Sequence, residues 1–198
     1  MAERIPGLVA QWVPEGIDPS PYNPGKRLVE RSIDVLEYGR TYPYFTTAVK
    51  DDVGNGGLRH VYPKAGQQVF SNLAQLRAAL SDSKALVCYP RSQTEPHIAG
   101  SVETVTLRYF EAIASRALVI GRAPQELIDL FGYNPAIEID VSNLPGKAVV
   151  QALRDVERYQ PLVERNYLRL LEVATWEVRA KEIIDLLEDA GYVVRQDE

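Results

Sequence analysis

The stretch SVETVTLRYFEAIASRALVIG, residues 101–121, decides the fold. Phe110 and Ala114 lie three and seven positions after Leu107, the spacing of one helix face, which predicts a helix over about residues 105–115. The apolar run ALVIG that follows has the length and composition of a buried strand. A helix that leads directly into a fully apolar strand is typical of a parallel sheet with helices on both faces.

The same alternation extends to both sides of this stretch. Short β-branched, aromatic or apolar runs predict four further strands: SIDVLEYG, LRHVYP, KALVCYP and AIEID. Periodic apolar residues predict helices in a segment ending near Asp52, in NLAQLRAALSDS, in PQELIDLF and through the chain from about residue 146. The last of these helices has one apolar stripe: Trp176, Ala180, Ile183, Leu187 and Ala190. The segments DDVGNGG and RSQTEPHIAGS are predicted as a turn and a polar loop.

This pattern predicts an α/β fold, a single Rossmann-like domain with a parallel sheet flanked by helices and a helical C-terminal region. Residues 1–30 are predicted as an extended arm, because four prolines within WVPEGIDPSPYNPGKR deny helix to their neighbours. Residues 31–145 then form the core, and residues 146–198 form the C-terminal helices of the same domain.

The composition limits the classes of partner. Asp and Glu total 27 against 22 Lys and Arg, and the net charge of −5 argues against a nucleic-acid-binding surface. Cys88 is the only cysteine, so no disulfide framework is possible within the chain and a reducing compartment is expected. No apolar run reaches about 18 residues, and the first residues are too broken by polar positions for a signal peptide. A cytoplasmic protein without a transmembrane segment is therefore expected.

The predicted strand ends carry several cations. In open α/β sheets, ligands bind beyond the carboxyl ends of the strands. The loops at those ends contain Gly39 and Arg40, Lys64, Arg91 and Ser92, and Gly121 and Arg122. Three arginines and a lysine at one edge, in an acidic chain, favour an anionic ligand. Taken singly, each is more often a solvated loop cation.

The N-terminus of the helix near residue 105 is a second candidate site for an anion. Its first N–H groups lack partners within the helix and its dipole end is positive, which suits a phosphate. Thr104 or Thr106 is the alternative partner, as an N-cap. Glu103 precedes the helix and Glu111 lies in its second turn, about 80° away around an ideal helix, so the two are not an i, i+4 surface pair. The residues alone leave the role of these two acids open.

Other chemistry has little support in the sequence. GNGG, residues 54–57, lacks the Lys-Ser/Thr of a P-loop and is predicted as a turn. With two histidines, His60 and His97, and one cysteine, no metal cluster is predicted, although His97 could meet a substrate. Neither a Ser-His-Asp order nor a G-x-S-x-G nucleophile motif is present.

Six motifs follow one another between about residues 12 and 187: WVPEGIDPSPYNP, SIDVLEYGR, ALVCYPRS, ETVTLRYFEAIA, APQELI and TWEVRAKEIIDLL. In this order they resemble the C-terminal, nucleotide-sugar-binding half of glycosyltransferases with the two-domain GT-B architecture, close to the large retaining group-1 families. The first is similar to the PxGxD entry into that domain, and the second to its first strand and Gly-Arg turn. The fourth is similar to the family's paired-glutamate motif, with seven residues between the acids, and is the most specific of the six.

The resemblance implies that Glu111 binds the ribose hydroxyls of a nucleotide, since a carboxylate accepts two hydrogen bonds. It implies that Glu103 is the catalytic residue and faces the donor sugar near its anomeric carbon. The implied diphosphate site comprises Gly39, Arg40 and the amides of Thr104, Val105, Thr106 and Leu107. The resemblance further implies a UDP-, GDP- or ADP-linked donor, transfer of a hexose-type sugar with retention, and no cofactor or metal ion.

The chain departs from the family pattern at two positions and in length. Thr46 stands where the family has a lysine, so Lys50, Lys64 or Arg91 would have to supply that charge. Arg116 replaces a usual glycine. An enzyme of this architecture holds its acceptor in an N-terminal domain, so this chain is expected to need such a domain or a partner chain and to transfer poorly alone.

Two alternative functions remain beside this one. The first is a non-catalytic nucleotide-sugar-binding or interaction module, whose apolar strip along the first arm and the last helix docks a partner. The second is a GT-B-like nucleotide-sugar epimerase, which would need a catalytic histidine and acid set that His60 and His97 do not supply.

Overall fold

Five parallel strands form a sheet in the computed structural model, which describes residues 10–64 and 68–192 of the chain. The strands are β1 (Ile33–Leu36), β2 (His60–Val61), β3 (Ser83–Cys88), β4 (Leu118–Gly121) and β5 (Ala136–Glu138). Their order across the sheet is β2-β1-β3-β4-β5, and each adjacent pair is parallel. The predicted α/β class with a parallel sheet flanked by helices is confirmed.

The described residues form nine α-helices and two short 3-10 segments, Leu28–Glu30 and Val156–Tyr159. The helices are α1 (Pro43–Asn55), α2 (Leu73–Ser81), α3 (Arg91–Thr94), α4 (Pro96–Ala99), α5 (Leu107–Ala114), α6 (Gln125–Phe131), α7 (Pro145–Arg154), α8 (Gln160–Val173) and α9 (Trp176–Asp189). Local signals set several ends. The Asn72 side chain accepts a hydrogen bond from the Gln75 N–H at 2.9 Å and caps α2, and Gly132, at φ 78°, ends α6 in the left-handed region.

Both faces of the sheet are buried, which is why its strands read as continuous apolar runs. Successive residues of a strand point to opposite faces. Leu86 and Cys88 of β3 accordingly pack in one core cluster with Phe110 of α5, whereas Ala85 and Val87 pack in the other, against α1 and α7. This arrangement fixes α5 against one face, with its N-terminus near the sheet edge.

The strand order creates a crevice between β1 and β3. The chain passes from β1 through α1 to β2 on one side, and then returns through α2 to β3 on the other side of β1. In doubly wound sheets, such a reversal separates the two connections and opens a crevice at the carboxyl ends of the two strands, where ligands bind. The residues after Leu36 and Cys88 therefore border the expected ligand position.

The arm before the first strand lies against the C-terminal helices. The N–H of Ile17 donates to the carbonyl of Ala174 at 2.9 Å, and Ile17 pairs with Thr175 in an isolated parallel bridge. The side chain of Ile17 is buried. A Cβ on Gly16 would approach the Trp176 ring to 2.9 Å, so a glycine is needed for this close packing.

Three local predictions need correction. Five residues of the predicted turn DDVGNGG belong to α1, because Val49 and Val53 are both buried and extend its apolar face. The predicted loop RSQTEPHIAGS contains α3 and α4, the second of which begins at Pro96. The strand LRHVYP shortens to His60–Val61, because β2 is an edge strand with β1 as its only neighbour in the described sheet. None of the described helices has the length and apolar character needed to cross a membrane.

Candidate functional site

A cluster of arginines lies at the carboxyl ends of β1 and β3. Arg91 donates from Nε to the carboxylate of Glu95 at 2.8 Å, and Arg40 lies 3.9 Å from the same oxygen. Arg108, in the first turn of α5, donates to the carbonyl oxygen of Arg40. Burial, followed by the charge of Arg108, lowers the pKa of Arg40. Arg40 and Arg91 thus share the carboxylate of Glu95, and Arg108 adds a third guanidinium group beside Arg40, which leaves a positive field at the crevice.

The position of Arg108 is fixed by the turn after β1. Its guanidinium lies over the Tyr38 ring, 5.1 Å from the centroid, in a cation–π contact. Gly39, at φ 61°, follows Tyr38, and a Cβ there would lie 2.8 Å from Nη2 of Arg108. Among the described residues, the Nε atoms of Arg40 and Arg108 are buried without a hydrogen-bond partner. The turn therefore needs a glycine so that α5 can bring its arginine to the strand end.

Glu111 lies at the same edge of the sheet, half-buried, and not within the core. Its carboxylate accepts hydrogen bonds from the hydroxyls of Tyr22, at 3.0 Å, and Tyr38. Burial, and then the Glu111 charge, raises the pKa of Tyr22 to about 12, and the same causes raise the pKa of Tyr38. Both tyrosines are therefore neutral donors at physiological pH, and they orient the carboxylate.

Glu103 occupies a different part of the edge, over β3 and β4. Its carboxylate accepts a hydrogen bond from Ser92 at 3.1 Å and forms an ion pair with Arg122 at 3.2 Å. The structure thus joins three of the predicted loop residues in one group. Glu103 and Glu111 are thus held by separate partners.

The amides before α5 already have partners within the chain. The N–H of Val105 donates to the carboxylate of Glu126, and the N–H of Leu107 faces Glu15 closely enough to lower the pKa of that carboxyl. Thr106 occupies the N-cap position, but its side chain makes no capping hydrogen bond. Two of the four amides expected to hold a diphosphate therefore face carboxylates of the protein itself.

The Glu126 side chain is half-buried, whereas Glu15 is exposed. Burial raises the pKa of Glu15, the Leu107 N–H opposes that shift, and the nearby Glu111 charge adds to it. Burial also raises the pKa of Glu126, against the effect of its hydrogen bond with Val105. The helix end thus attracts anionic groups, as expected for a positive dipole end.

Lys64 and Thr104 do not join the arginine cluster. Lys64 is exposed beyond β2, on the far side of β1 from β3. Thr104 is exposed beside a groove that it shares with Trp12 and Gln125. Neither side chain makes a hydrogen bond or ion pair within the described part of the chain.

A cleft of about 400 Å³ adjoins the site on the side of β2. Its wall includes the ring of Tyr38, the turn at Gly39 and, from the segment leading into α2, Phe70 and Asn72. Aromatic and apolar walls with a few polar groups are typical of pockets that take a flat organic ring. Tyr38 and Gly39, in the turn after β1, connect these three features. Both residues line the cleft, both lie against Arg108, and the Tyr38 hydroxyl donates to Glu111.

The residue at the family's lysine position has a structural partner instead. Thr46 donates from its hydroxyl to the buried carboxylate of Glu37 at 2.7 Å. The other oxygen of Glu37 lies 2.8 Å from Nε2 of His60, whose ring is almost fully buried. Thr46 and His60 thus belong to a buried polar network behind β1. His97 is exposed on α4, and no group of three or more potential metal ligands occurs within residues 10–64 and 68–192.

Several residues of the site were not singled out by the sequence: Glu15, Tyr22, Tyr38, Arg108 and Glu126. Arg108 lies within the stretch that decides the fold, but its place beside Arg40 depends on how α5 packs on the sheet. The one local signal was the tyrosine at the end of SIDVLEYG, because an aromatic residue beyond a strand end borders the crevice.

No protein-family model matches the chain, and no curated protein matches it significantly. We therefore infer the function from the residues of the site itself.

Proposed function

We propose that this chain binds a nucleoside diphosphate sugar at the carboxyl ends of β1 and β3, as the donor-binding domain of a glycosyltransferase. The observation that carries the proposal is the position of Glu111 beside the arginine cluster. A carboxylate that already accepts two hydroxyl donors, Tyr22 and Tyr38, has the geometry to accept the two adjacent hydroxyls of a ribose.

Three neighbouring features match the three parts of a nucleoside diphosphate. The cleft beside Tyr38 suits a base, Glu111 suits the ribose, and the guanidinium groups of Arg40, Arg91 and Arg108 suit the diphosphate. Arginine is favoured for such a group because its planar donors match two phosphate oxygens at once. That all three features meet at Tyr38 and Gly39 supports a nucleotide over a simple phosphate.

For the transfer step, we propose that Glu103 faces the sugar beyond the diphosphate. Glu103 lies where β3 and β4 end, and Ser92 and Arg122 hold its carboxylate. The arginine cluster would stabilise the charge that develops on the leaving diphosphate, without a cofactor or metal ion. The acceptor would come from an N-terminal domain or a partner chain, since catalysis needs both substrates in reacting geometry.

A non-catalytic nucleotide-sugar-binding module is the second candidate. The contacts of Glu103 with Arg122 and Ser92 favour it, because they already occupy the carboxylate that a transfer step would need to act on the sugar. The epimerase alternative has less support: among the described residues, no hydrogen bond joins His60 or His97 to Glu103 or Glu111.

The test is a calorimetric titration with UDP, GDP, ADP and inorganic pyrophosphate. Glu111→Ala should weaken nucleoside diphosphate binding by about 1–3 kcal/mol, roughly five- to 150-fold, and should not weaken pyrophosphate binding. Arg108→Ala should weaken the binding of both, because it removes a donor to the diphosphate. Arg158→Ala, a change at an exposed arginine on another part of the surface, is the matched control.

Two results would contradict the proposal. One is an absence of binding for all three nucleoside diphosphates by the folded chain. The other is equal nucleotide affinity for Glu111→Ala and the unchanged protein. If nucleotides bind as expected, hydrolysis or transfer from the matching nucleotide sugar separates the enzyme from the non-catalytic module.

A further inference from the structure

A second cleft, of about 430 Å³, lies at the carboxyl ends of β3, β4 and β5. Pockets for small molecules typically have roughly 300–1,000 Å³, so its volume is sufficient for one ligand ring and its substituents. Its lining includes the residue at or directly after the end of each strand: Tyr89, Gly121 and Glu138. It shares no lining residue with the cleft beside Tyr38. The two clefts are therefore separate candidate sites on one edge of the sheet.

Two tyrosine rings line this cleft. Tyr42, directly before α1, packs against Tyr89 with 4.9 Å between the ring centroids. The Tyr89 hydroxyl donates to the carbonyl oxygen of Ile139 at 2.9 Å, which fixes this ring between β3 and the segment after β5. Tyr89 is buried, whereas Tyr42 is half-buried. Aromatic rings that are fixed in this way offer a flat apolar surface to a ligand ring.

The side chain of Gln93 lines the same cleft without a partner. Its Oε1 atom is buried, and no residue in the described part of the chain donates a hydrogen bond to it. Buried acceptors in native proteins nearly always have a donor, because an unmet acceptor loses its hydration without compensation. Gln93 belongs to α3, the single helical turn that follows β3, which places the amide at the strand end. The amide therefore indicates an occupant that donates a hydrogen bond at this point.

The charged groups of the cleft disfavour an anion. Glu138 and Asp140 line it together with one cation, Arg122, which is paired with Glu103. Hydrogen bonds from Ser142 lower the pKa of Asp140, so its carboxylate stays ionised and can only accept hydrogen bonds. The lining thus has a negative net charge, unlike the arginine cluster, and would repel a phosphate or a carboxylate ligand.

The mixture of donors and acceptors indicates the class of ligand. The lining contains acceptors on Gln93, Glu138 and Asp140 and donors on Tyr42 and Arg122. Sugar hydroxyls both donate and accept, so they can meet both kinds of group. An organic ammonium group only donates and would leave the two donors unmet, and a nucleobase would turn acceptor atoms towards the two carboxylates.

We propose that this cleft binds a pyranose ring of a neutral carbohydrate. The C–H groups of the ring pack on the tyrosine surface, and its hydroxyls meet the amide of Gln93 and the carboxylates of Glu138 and Asp140. No residue of the arginine cluster lines this cleft, so the proposal stands independently of nucleotide binding.

The test is an amide NMR titration of the isotope-labelled chain with the methyl glycosides of glucose, mannose, galactose and N-acetylglucosamine. This method detects the weak binding expected of a single ring and reports its position. At least one glycoside should shift the amide signals of Gln93 and Gly121 with saturation, and should leave that of Gln151 in α7 unchanged. Choline and adenosine are the comparison ligands, and each should bind more weakly than that glycoside.

Gln93→Met, which replaces the amide by a thioether of similar length, should weaken glycoside binding about fivefold or more. Its urea midpoint should be equal to or above that of the unchanged protein, because the amide oxygen that it removes is buried without a donor among the described residues. A merely structural role of Gln93 would give a lower midpoint instead. Asp140→Asn, at an exposed position, should also weaken binding, by about threefold or more. Gln151→Met, at an exposed glutamine, is the matched control and should change neither binding nor midpoint.

The proposal is overturned if no glycoside shifts the signals of the cleft, or if choline or adenosine binds there more tightly than every glycoside. It is also overturned if Gln93→Met and Asp140→Asn both bind the glycoside as tightly as the unchanged protein, since the ring would then lie elsewhere. If Gln93→Met does not fold, Asp140→Asn alone decides between these outcomes.

Discussion

The hydroxyl of Tyr22 donates a hydrogen bond to the carboxylate of Glu111 at 3.0 Å, across 89 residues of sequence. Tyr22 belongs to the proline-rich arm and Glu111 to the second turn of α5. The bond therefore joins the arm to the edge of the sheet where the arginine cluster lies. It also gives a half-buried carboxylate one of its two donors, so the arm contributes directly to the candidate site.

Tyr22→Phe should lower the free energy of unfolding by about 1 kcal/mol at neutral pH, because it removes a donor to a partly solvated carboxylate. The folded-state pKa of Tyr22, raised to about 12, lies above the ordinary value of 10. The protonated Tyr22 hydroxyl therefore stabilises the folded protein fully below pH 10, and this stabilisation is lost as the pH rises towards 12. Urea unfolding across this range should show a smaller alkaline loss for Tyr22→Phe. Tyr44→Phe, at an exposed tyrosine, should behave like the unchanged protein.

Gly39→Ala should cost more stability than Gly57→Ala, although both glycines have positive φ, 61° and 71°. The backbone strain of a left-handed alanine, about 1–2 kcal/mol, is common to both changes. A Cβ at position 39 would also lie 2.8 Å from Arg108 Nη2, whereas one at position 57 would have no neighbour within 4 Å. Gly39→Ala should therefore also weaken pyrophosphate binding, and Gly57→Ala should not. Equal pyrophosphate affinities for the two variants would show that the turn does not position Arg108.

The strands and helices with strong local patterns could be predicted from the sequence. β3, β4 and α5 agree with their predictions within about two residues, because continuous apolar runs and a single apolar helix face are local properties. α6 likewise ends where the predicted helix PQELIDLF ends, and Gly132 closes it in the left-handed region, where glycine is usual. Each of these features depends on a few neighbouring residues.

Features that depend on distant contacts could not be predicted in this way. The periodicity of α9 showed that one face is apolar, but it contained no information about what covers that face, and the structure leaves it exposed. The site was predicted in part: Glu103, Ser92 and Arg122 meet at the expected sheet edge. Their pairing, like that of Tyr22 with Glu111, depends on contacts between segments far apart in sequence.

Glu15→Gln should strengthen pyrophosphate binding about threefold to tenfold at neutral pH, because it removes a negative charge from the N-terminus of α5. The folded-state pKa of Glu15 is raised by burial and by Glu111. Its contribution to stability is thus present below the ordinary pKa of a glutamate, about 4.3, and is lost as pH rises through the folded-state value. The variant should therefore be more stable than the unchanged protein at pH 7, and the difference should disappear under acid conditions.

Titration calorimetry at neutral pH measures the change in pyrophosphate affinity. Urea unfolding at pH 7 and under acid conditions measures the change in stability. Glu30→Gln, at an exposed glutamate of the first 3-10 segment, is the charge-matched control. If both variants change pyrophosphate affinity equally, the effect comes from net charge and not from the end of α5.

Arg31→Met should destabilise the protein by about 2–5 kcal/mol, since it leaves buried carbonyl groups without a donor. The side chain of Arg31 is 3% exposed and lies between the arm and the sheet. Its guanidinium donates to the carbonyl oxygens of Pro24 at 2.7 Å, Ser83 at 2.9 Å and Ser115 at 3.1 Å. Arg31→Lys should restore little of the loss, because a single ammonium group does not reproduce three donors in a planar fork.

The control for Arg31 is Arg158→Ala, which removes an exposed ion pair with Asp155 and should change stability by no more than about 0.5 kcal/mol. Urea midpoints give both values. Because Arg31 holds the segment that carries Tyr22, Arg31→Met should also reduce nucleoside diphosphate binding at temperatures where the domain is still folded. A loss below about 1 kcal/mol, with unchanged nucleotide affinity, would mean that the arm is held by its contacts with α8 and α9 and not by this arginine.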